Sequence, residues 1–246
     1  MNKSGNWGVV GLLIAGAAVG IFGARLFIKP APAPGLSSAP AATPEIPSNL
    51  PSLENSDGLA RTTFAGLSSD LSFREWLEVD AVLPRLIAAI NMVAHGKMPR
   101  EILAPFAPKD AFKVKTKDGR VIIDPAGYTR YDKAAAFAAG VNPIDAAKAF
   151  EALLPLLDAA QRGLGEPNTS AREALFTAAR ELLAAPVLEG DIALKAGKKG
   201  IGWAYADEKI EGLSPAQKQL IRLGPKNQSL IQLKLRAIAT ELGAKL

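Results

Sequence analysis

The feature that most constrains this chain is an apolar run near its start, residues 7–28, WGVVGLLIAGAAVGIFGARLFI, which carries no charge until Arg25. A helix needs roughly 20 apolar residues to cross the hydrocarbon layer of a membrane, and this run supplies them. Trp7 lies at one edge and Arg25 and Lys29 at the other, where an indole ring and cationic side chains are favoured. The run therefore predicts a single transmembrane anchor within residues 1–29.

A cleaved signal peptide is the alternative interpretation of the same run. The apolar part of such a peptide is about 7–15 residues long, which is shorter than this run. The basic residues here also follow the run. An APAA sequence near residue 40 leaves a cleavage site open. We predict an anchor that is retained.

Small residues recur every four positions within the predicted anchor, at Gly16, Gly20 and Ala24. This spacing places them on one stripe of a helix, and such stripes let two membrane helices approach closely. The pattern predicts a homodimer formed through the anchor. Because glycine and alanine are common in all membrane helices, the stripe is equally consistent with a monomer.

Residues 30–55 are dominated by proline, alanine and serine, as in PAPAPGLSSAPAATPEIP. This composition favours an extended linker, which at about 3.1 Å per residue could hold a domain up to roughly 80 Å from the membrane. Cationic residues flank the anchor almost equally on both sides, so charge does not decide the orientation. A tail, an anchor, a linker and a body at residues 56–246 are typical of a single-pass protein of the bacterial inner membrane. We predict a periplasmic body, with a cytoplasmic body as the alternative.

Composition restricts the chemistry that is available. The chain has no cysteine and one histidine, His95, which excludes disulfides, thiolate catalysis and histidine-rich metal sites. The formal net charge of +5 favours anionic surfaces mildly, but it is common in proteins that never bind nucleic acid. We predict no catalytic residue, no metal ion and no cofactor.

The body is predicted to be mainly helical. Side chains that cap helix ends precede apolar residues at helical spacing, such as Leu83, Leu86, Ile87 and Ile90. Helix starts are predicted at Ser72 with Glu75 as a capping box, at Asp80, at Asn142 with Pro143, at Ser170 with Glu173, and at Ser214 with Pro215, and Gly96 is the predicted end of the helix after Asp80.

Two stretches have the alternation of β-strands. AFKVKTKDGRVIID predicts a hairpin that turns at KDGR, and in GDIALKAGKKGIGWAYA we expect Ile192 and Leu194 to pair with Trp203 and Tyr205. The predicted fold is therefore mainly α with a small β-hairpin or sheet component, of the α+β class, in a single globular domain.

The segment LSPAQKQLIRLGPKNQSLIQLKLR, residues 213–236, has two short helices and several basic residues. A DNA-binding helix-turn-helix would need polar side chains free to reach base edges on its second helix. Here Ile231, Leu235, Ile238 and Leu242 lie on one face of that helix instead. We predict a hairpin that closes the core, and we consider nucleic acid an unlikely partner.

The pentapeptide YTRYD is the candidate interaction patch, comprising Tyr128, Arg130, Tyr131 and Asp132. An arginine between two tyrosines can stack on a ring and pair with the aspartate, which would make a recognition surface. The alternative is a structural corner that joins the first hairpin to the next helix.

Other groups give weaker signals. His95 is expected at a helix C-terminus, where an imidazolium interacts favourably with the helix dipole. AGKKGIG lacks the spacing of a phosphate-binding loop and is predicted to be a turn. Carboxylates that a hydrolase could use are present, but nothing in the sequence places two of them across a cleft. These carboxylates are Glu166, Glu173, Glu189 and Asp191.

Five segments of the body match a known pattern in their sequence and in their order along the chain. They are YTRYD, LLPLLDAAQRGLGEP, APVLEGDIAL, WAYADEKIEGLSPAQKQLIRLGPKNQ and KLRAI. Together they resemble the bacterial family known as domain of unknown function 3014, from about Leu50 to Leu242. The resemblance implies an N-terminal membrane helix, a proline-rich linker and an envelope location, and it implies no activity. In that family an asparagine usually precedes the first tyrosine of YTRYD, whereas here Gly127 does.

The leading functional hypothesis is a non-enzymatic, membrane-tethered scaffold or adaptor that binds another envelope protein. A cell-wall-binding or hydrolytic envelope module is one alternative. A cytoplasmic nucleic-acid-binding protein is the other.

Overall fold

The structure, a computed structural model, describes residues 49–246. The predicted anchor, with Gly16, Gly20 and Ala24, and most of the predicted linker lie outside the described residues. Within the described part of the chain, no helix combines the length and the apolar character needed to cross a bilayer.

The described residues form a mainly helical fold with two small antiparallel sheets, which confirms the predicted α+β class. The helices are α1 (Asp57–Ala65), α2 (Leu71–Leu77), α3 (Val82–Ala94), α4 (Asp132–Gly140), α5 (Pro143–Gly163), α6 (Ala171–Leu183), α7 (Glu208–Glu211), α8 (Pro215–Ile221) and α9 (Pro225–Glu241). The strands are β1 (Val114–Lys117), β2 (Arg120–Ile123), β3 (Leu194–Ala196) and β4 (Trp203–Tyr205). Short 3-10 helices cover Leu53–Asn55, Ala104–Phe106, Pro125–Tyr131 and Lys198–Gly200.

One apolar core joins the long helices. Helix α3 packs against α5 and α6, and α9 packs against α4, α5 and α6. The predicted apolar stripe of α3 is confirmed, since Leu83, Ile87 and Ile90 are each at most 1% exposed. Burying such a side chain fully stabilises the fold by roughly 1.5–3 kcal/mol. Leu50 and Leu53, which fall within the predicted linker, are partly buried against this core.

Residues 213–236 form a helical hairpin that closes the core, as predicted. Helices α8 and α9 are joined through Gly224, whose φ is +82°. The apolar face of α9 is buried between α4, α5 and α6, so it is not available to enter a DNA groove. The residues of this face are Ile231, Leu235, Ile238 and Leu242.

The helix ends that depend on a nearby side chain agree with the prediction. Asn142 caps α5 by accepting from the backbone N–H of Ile144, and complete capping boxes begin α6 at Ser170 and α8 at Ser214. Gly96 follows the last turn of α3 with a φ of +66°, and its N–H donates to the carbonyl of Val93, as in a Schellman motif.

Two predicted caps are wrong. Helix α2 begins after Asp70, whose carboxylate accepts from the Phe73 N–H, so the predicted cap Ser72 is its second residue. Asp80 does not cap α3, and its side chain is fully exposed. Instead, the carboxylate of Asp57, in α1, accepts from the backbone N–H groups of Ala81 and Val82 at the start of α3, at 2.8 Å each. A side chain from another helix has replaced the local cap.

The two hairpins meet. Asp118 and Gly119, with φ values of +50° and +73°, turn β1 into β2, as the KDGR sequence predicted. Leu194 pairs with Tyr205 as expected, but the prediction for Ile192 is wrong. Its carbonyl accepts from the N–H of Ile123, so it joins the second hairpin to the first. A second apolar cluster lies beneath both hairpins, formed by Ile123, Ile192, Leu194, Tyr205 and Ile221.

Candidate functional site

The YTRYD pentapeptide lies where the first hairpin leads into α4. Its first four residues end the 3-10 helix Pro125–Tyr131, and Asp132 begins α4. The first turn of the 3-10 helix is capped by the Asp124 carboxylate, which accepts from the Ala126 N–H. Only part of the pentapeptide is accessible, since Tyr131 is 1% exposed and Tyr128 and Arg130 are half-buried. The motif therefore serves mainly as a structural junction between β2 and α4. We call residues 128–132 the joint.

Tyr131 connects the joint to α8. Its hydroxyl accepts a hydrogen bond from Arg130 Nη2 at 2.6 Å and one from Gln219 Nε2 at 3.1 Å. The Arg130 guanidinium also lies 4.5 Å from the centroid of the Tyr131 ring. The predicted stacking of the arginine on a tyrosine is present, and it holds the motif against a buried glutamine.

The predicted pairing of Arg130 with Asp132 is wrong. Arg130 Nη1 donates instead to the backbone carbonyl of Asp110 at 3.1 Å. The Asp132 carboxylate accepts from Asn227 Nδ2 at 2.9 Å, and the same nitrogen lies 3.2 Å from the Tyr128 carbonyl. Asn227 belongs to α9, so the C-terminal helix is the partner of this carboxylate.

Tyr128 packs directly on Gly224, between α8 and α9. A Cβ atom added to Gly224 would lie 2.4 Å from the ring of Tyr128, so only glycine fits there. Burial raises the pKa of the Tyr128 hydroxyl. The ring of Phe112 lies beside this contact, with the guanidinium groups of Arg130 and Arg222 at 5.3 and 5.5 Å from its centroid.

Sequence reasoning singled out the pentapeptide but missed the residues that hold it. Gly224 and Asn227 belong to the segment LIRLGPKNQ and Gln219 directly precedes it, and the sequence predicts this segment only as part of a hairpin. Both segments carry the family resemblance, but no local pattern in either one predicts that they touch.

An open groove of about 940 Å³ runs beside this joint. Its sides are the start of α2, residues 105–110 and residues 129–137. Phe106 and Phe137 stack at its base, with ring centroids 5.3 Å apart. Leu71 is 78% exposed at one edge. The groove thus combines an aromatic base, an exposed leucine and a rim with charges of both signs, namely Lys109, Arg130, Lys133, Asp70 and Asp110.

Contacts within the fold account for four other candidates, namely His95, the AGKKGIG turn, Glu173 and Asp191. His95 is the C-cap of α3, and its Nδ1 lies 2.7 Å from the Asn91 carbonyl. AGKKGIG forms the turn between β3 and β4, as predicted. Glu173 serves in the capping box of α6, and its hydrogen bonds with Ser170 lower its pKa. The hydrogen bond from Lys117 lowers the pKa of Asp191.

We expect Tyr131→Phe to lower the free energy of unfolding by about 1–3 kcal/mol, because it leaves buried donors of Arg130 and Gln219 without their acceptor. Urea unfolding of the full chain in detergent, followed by circular dichroism, measures this. Tyr128→Phe is the control, since it removes the hydroxyl of a half-buried tyrosine in the same motif. Equal effects of the two changes would contradict the assigned role of Tyr131.

Comparison with known protein families relates this part of the chain to a family of unknown function. No curated protein matches the chain, and no solved structure does. A family model described as "Protein of unknown function (DUF3014)" matches residues 82–239, from the start of α3 almost to the end of α9. This range includes the joint at YTRYD, its partners in α8 and α9, and most of the groove. The chain therefore belongs to the DUF3014 family.

Proposed function

We propose that the protein is a membrane-anchored, non-enzymatic scaffold that binds a segment of another envelope protein in the groove beside YTRYD. The apolar run at residues 7–28 and the proline-rich linker support a single-pass anchor in the bacterial inner membrane. The same layout supports a body on the periplasmic side, on a linker long enough for the body to meet other proteins.

The observation that carries the proposal is the groove itself. Its base is the stacked pair Phe106 and Phe137, which are 8% and 6% exposed, and Leu71 stands exposed at its edge. Apolar side chains that converge in an open groove favour binding of an amphipathic segment of a partner. Lys133 and Lys109 are exposed on the rim, so acidic residues beside the apolar ones would strengthen the contact.

The joint keeps one wall of this groove in place. Arg130 lines the groove while its guanidinium is held by Tyr131 and by the Asp110 carbonyl. Tyr131 is held in turn by Gln219 of α8. A preformed wall lowers the entropy lost when a partner binds. The buried residue Tyr131 therefore fixes the position of Arg130, which lines the groove where the partner would bind.

A photocrosslinking amino acid at position 133, in the full chain within its native membrane, tests this proposal. We expect one discrete crosslinked product, and we expect Leu71→Asp to reduce it at least about tenfold, as loss of an interface anchor does. Leu233→Asp is the matched control, since Leu233 is 67% exposed on α9, away from the groove. A product no stronger than that from position 236 on α9, or one equally sensitive to both substitutions, would contradict the proposal.

A further inference from the structure

The first hairpin carries its cations on one face. In the register of β1 and β2, Lys115 lies opposite Ile122 and Lys117 opposite Arg120. Side chains alternate between the faces of a strand, and cross-strand partners share a face. Lys115, Lys117 and Arg120 therefore share one face with the buried Ile122, and Lys113, just before β1, follows the same alternation; all four cations are exposed. The residues between them, Val114, Val121 and Ile123, belong to the second apolar cluster on the other face.

The second hairpin continues this basic face. Ala193 pairs with Ile122 in an antiparallel bridge, so Lys195, two residues further on, points to the same side. Asp191 is a carboxylate in contact with this face, with 2.6 Å between its Oδ2 and Lys117 Nζ. Its pKa is lowered by that hydrogen bond and also by the charges of Lys115 and Arg120. One carboxylate thus lies within the field of several cations.

The turn between β3 and β4 displays apolar side chains next to these cations. Lys199, Gly200 and Gly202 have φ values of +56°, +73° and +69°, and a Cβ atom at Gly197 would lie 2.1 Å from the Ile201 carbonyl. This tight turn leaves Ile201 65% exposed. Trp203, directly after it, is 36% exposed. Ile201 and Trp203 thus place two exposed apolar side chains at the tip of the second hairpin, next to the exposed Lys199.

We infer that this basic hairpin surface, comprising Lys113, Lys115, Lys117, Arg120, Lys195, Lys199, Ile201 and Trp203, docks on anionic phospholipid bilayers. Ile201 and Trp203 enter the interfacial layer, where aromatic and apolar side chains are favoured, and the lysines meet the headgroup phosphates. The phosphates of duplex DNA would meet the same cations, so DNA is the competing ligand in the test. This inference goes beyond the scaffold function and involves a surface other than the groove.

The absence of cysteine from the chain makes the test site-specific, because Ile201→Cys can be labelled alone with the fluorophore nitrobenzoxadiazole. The full chain is reconstituted in phosphatidylcholine vesicles with and without phosphatidylglycerol. We expect blue-shifted emission that nitroxide lipids quench, only when phosphatidylglycerol is present. The readout is the environment of position 201, so it does not depend on whether residues 7–28 hold the chain in the vesicle.

A triple change of Lys113, Lys115 and Lys195 to Gln removes three of the charges. At about a fivefold loss per lysine, the ratio of docked to undocked protein should fall on the order of 100-fold. The matched control changes exposed lysines of other elements to Gln, namely Lys97, Lys148 and Lys226, and should leave the ratio unchanged.

Three results would overturn the inference. The first is identical emission, in the two kinds of vesicle, of the labelled Ile201→Cys chain that carries no lysine change. The second is an equal effect of the two triple changes. The third is a shift of the emission caused by duplex DNA but not by phosphatidylglycerol. The first comparison needs no lysine variant, so it decides the question even where a triple change disturbs folding.

Discussion

Replacing Gly224 with alanine is expected to lower the free energy of unfolding by about 3–5 kcal/mol. The added Cβ would lie 2.4–2.9 Å from ring atoms of Tyr128, a distance that real Cβ atoms do not reach. The backbone, with φ +82° and ψ 159°, is also in a region used almost only by glycine. Because domains are stable by only about 5–15 kcal/mol, this is a large fraction of the total.

Urea unfolding of the full chain measures this change, and Gly243→Ala separates its two causes. Gly243 has a φ of +87°, but no atom lies within 4 Å of its would-be Cβ. Its replacement should therefore cost only the conformational part, about 1–2 kcal/mol. Adding Tyr128→Ala to Gly224→Ala should recover part of the loss, since it removes the ring that clashes. Equal costs at both glycines would show that the contact with Tyr128 contributes nothing.

The second large effect is expected at Asp57, where alanine should cost about 2–4 kcal/mol. The carboxylate accepts from the N–H groups of Ala81 and Val82, so its loss leaves the start of α3 uncapped. It also lies near the buried Arg85. Within the described residues, Nε and Nη1 of Arg85 have no hydrogen-bond partner. Burial lowers the pKa of Arg85 to about 10, and the charge of Asp57 is the largest effect opposing this.

Thermal unfolding of Asp57→Ala and Asp57→Asn distinguishes the two contributions. Asparagine keeps an acceptor for the end of α3 but removes the charge near Arg85, so an intermediate loss is expected. Asp80→Asn is the control, because the Asp80 side chain is fully exposed and its change should stay within about 0.5 kcal/mol. An Asp57→Ala protein as stable as Asp80→Asn would contradict this account of the junction between α1 and α3.

The helix caps that were predicted correctly depend on residues close together in the sequence. Ser170 and Glu173 are three positions apart, so their capping box can be recognised from the sequence. The start of α3 could not be, because its cap Asp57 is 24 residues before Ala81. Asp80 had the right chemistry one residue from the helix, but a carboxylate from α1 reaches the free N–H groups instead.

The candidate site shows the same limit over longer distances. Tyr128 and Asp132 are part of a recognisable motif, but their partner Asn227 is 95–99 residues further along the chain. The groove is assembled from three separate segments of the chain. Phe106 and Phe137 form its aromatic base, and nothing in the sequence around either residue distinguishes it from an ordinary core residue. A motif can therefore be located from sequence, whereas its surroundings depend on how distant helices pack.

Joining alkaline phosphatase or green fluorescent protein to Leu246 tests the central claim, that the body is tethered to the inner membrane and faces outward. The phosphatase folds only outside the cytoplasm, whereas the fluorescent protein exported in unfolded form stays dark. We predict active phosphatase, no fluorescence, and both fusions in the membrane fraction after washing with high salt. A fluorescent fusion, or one released into the soluble fraction, would contradict the account.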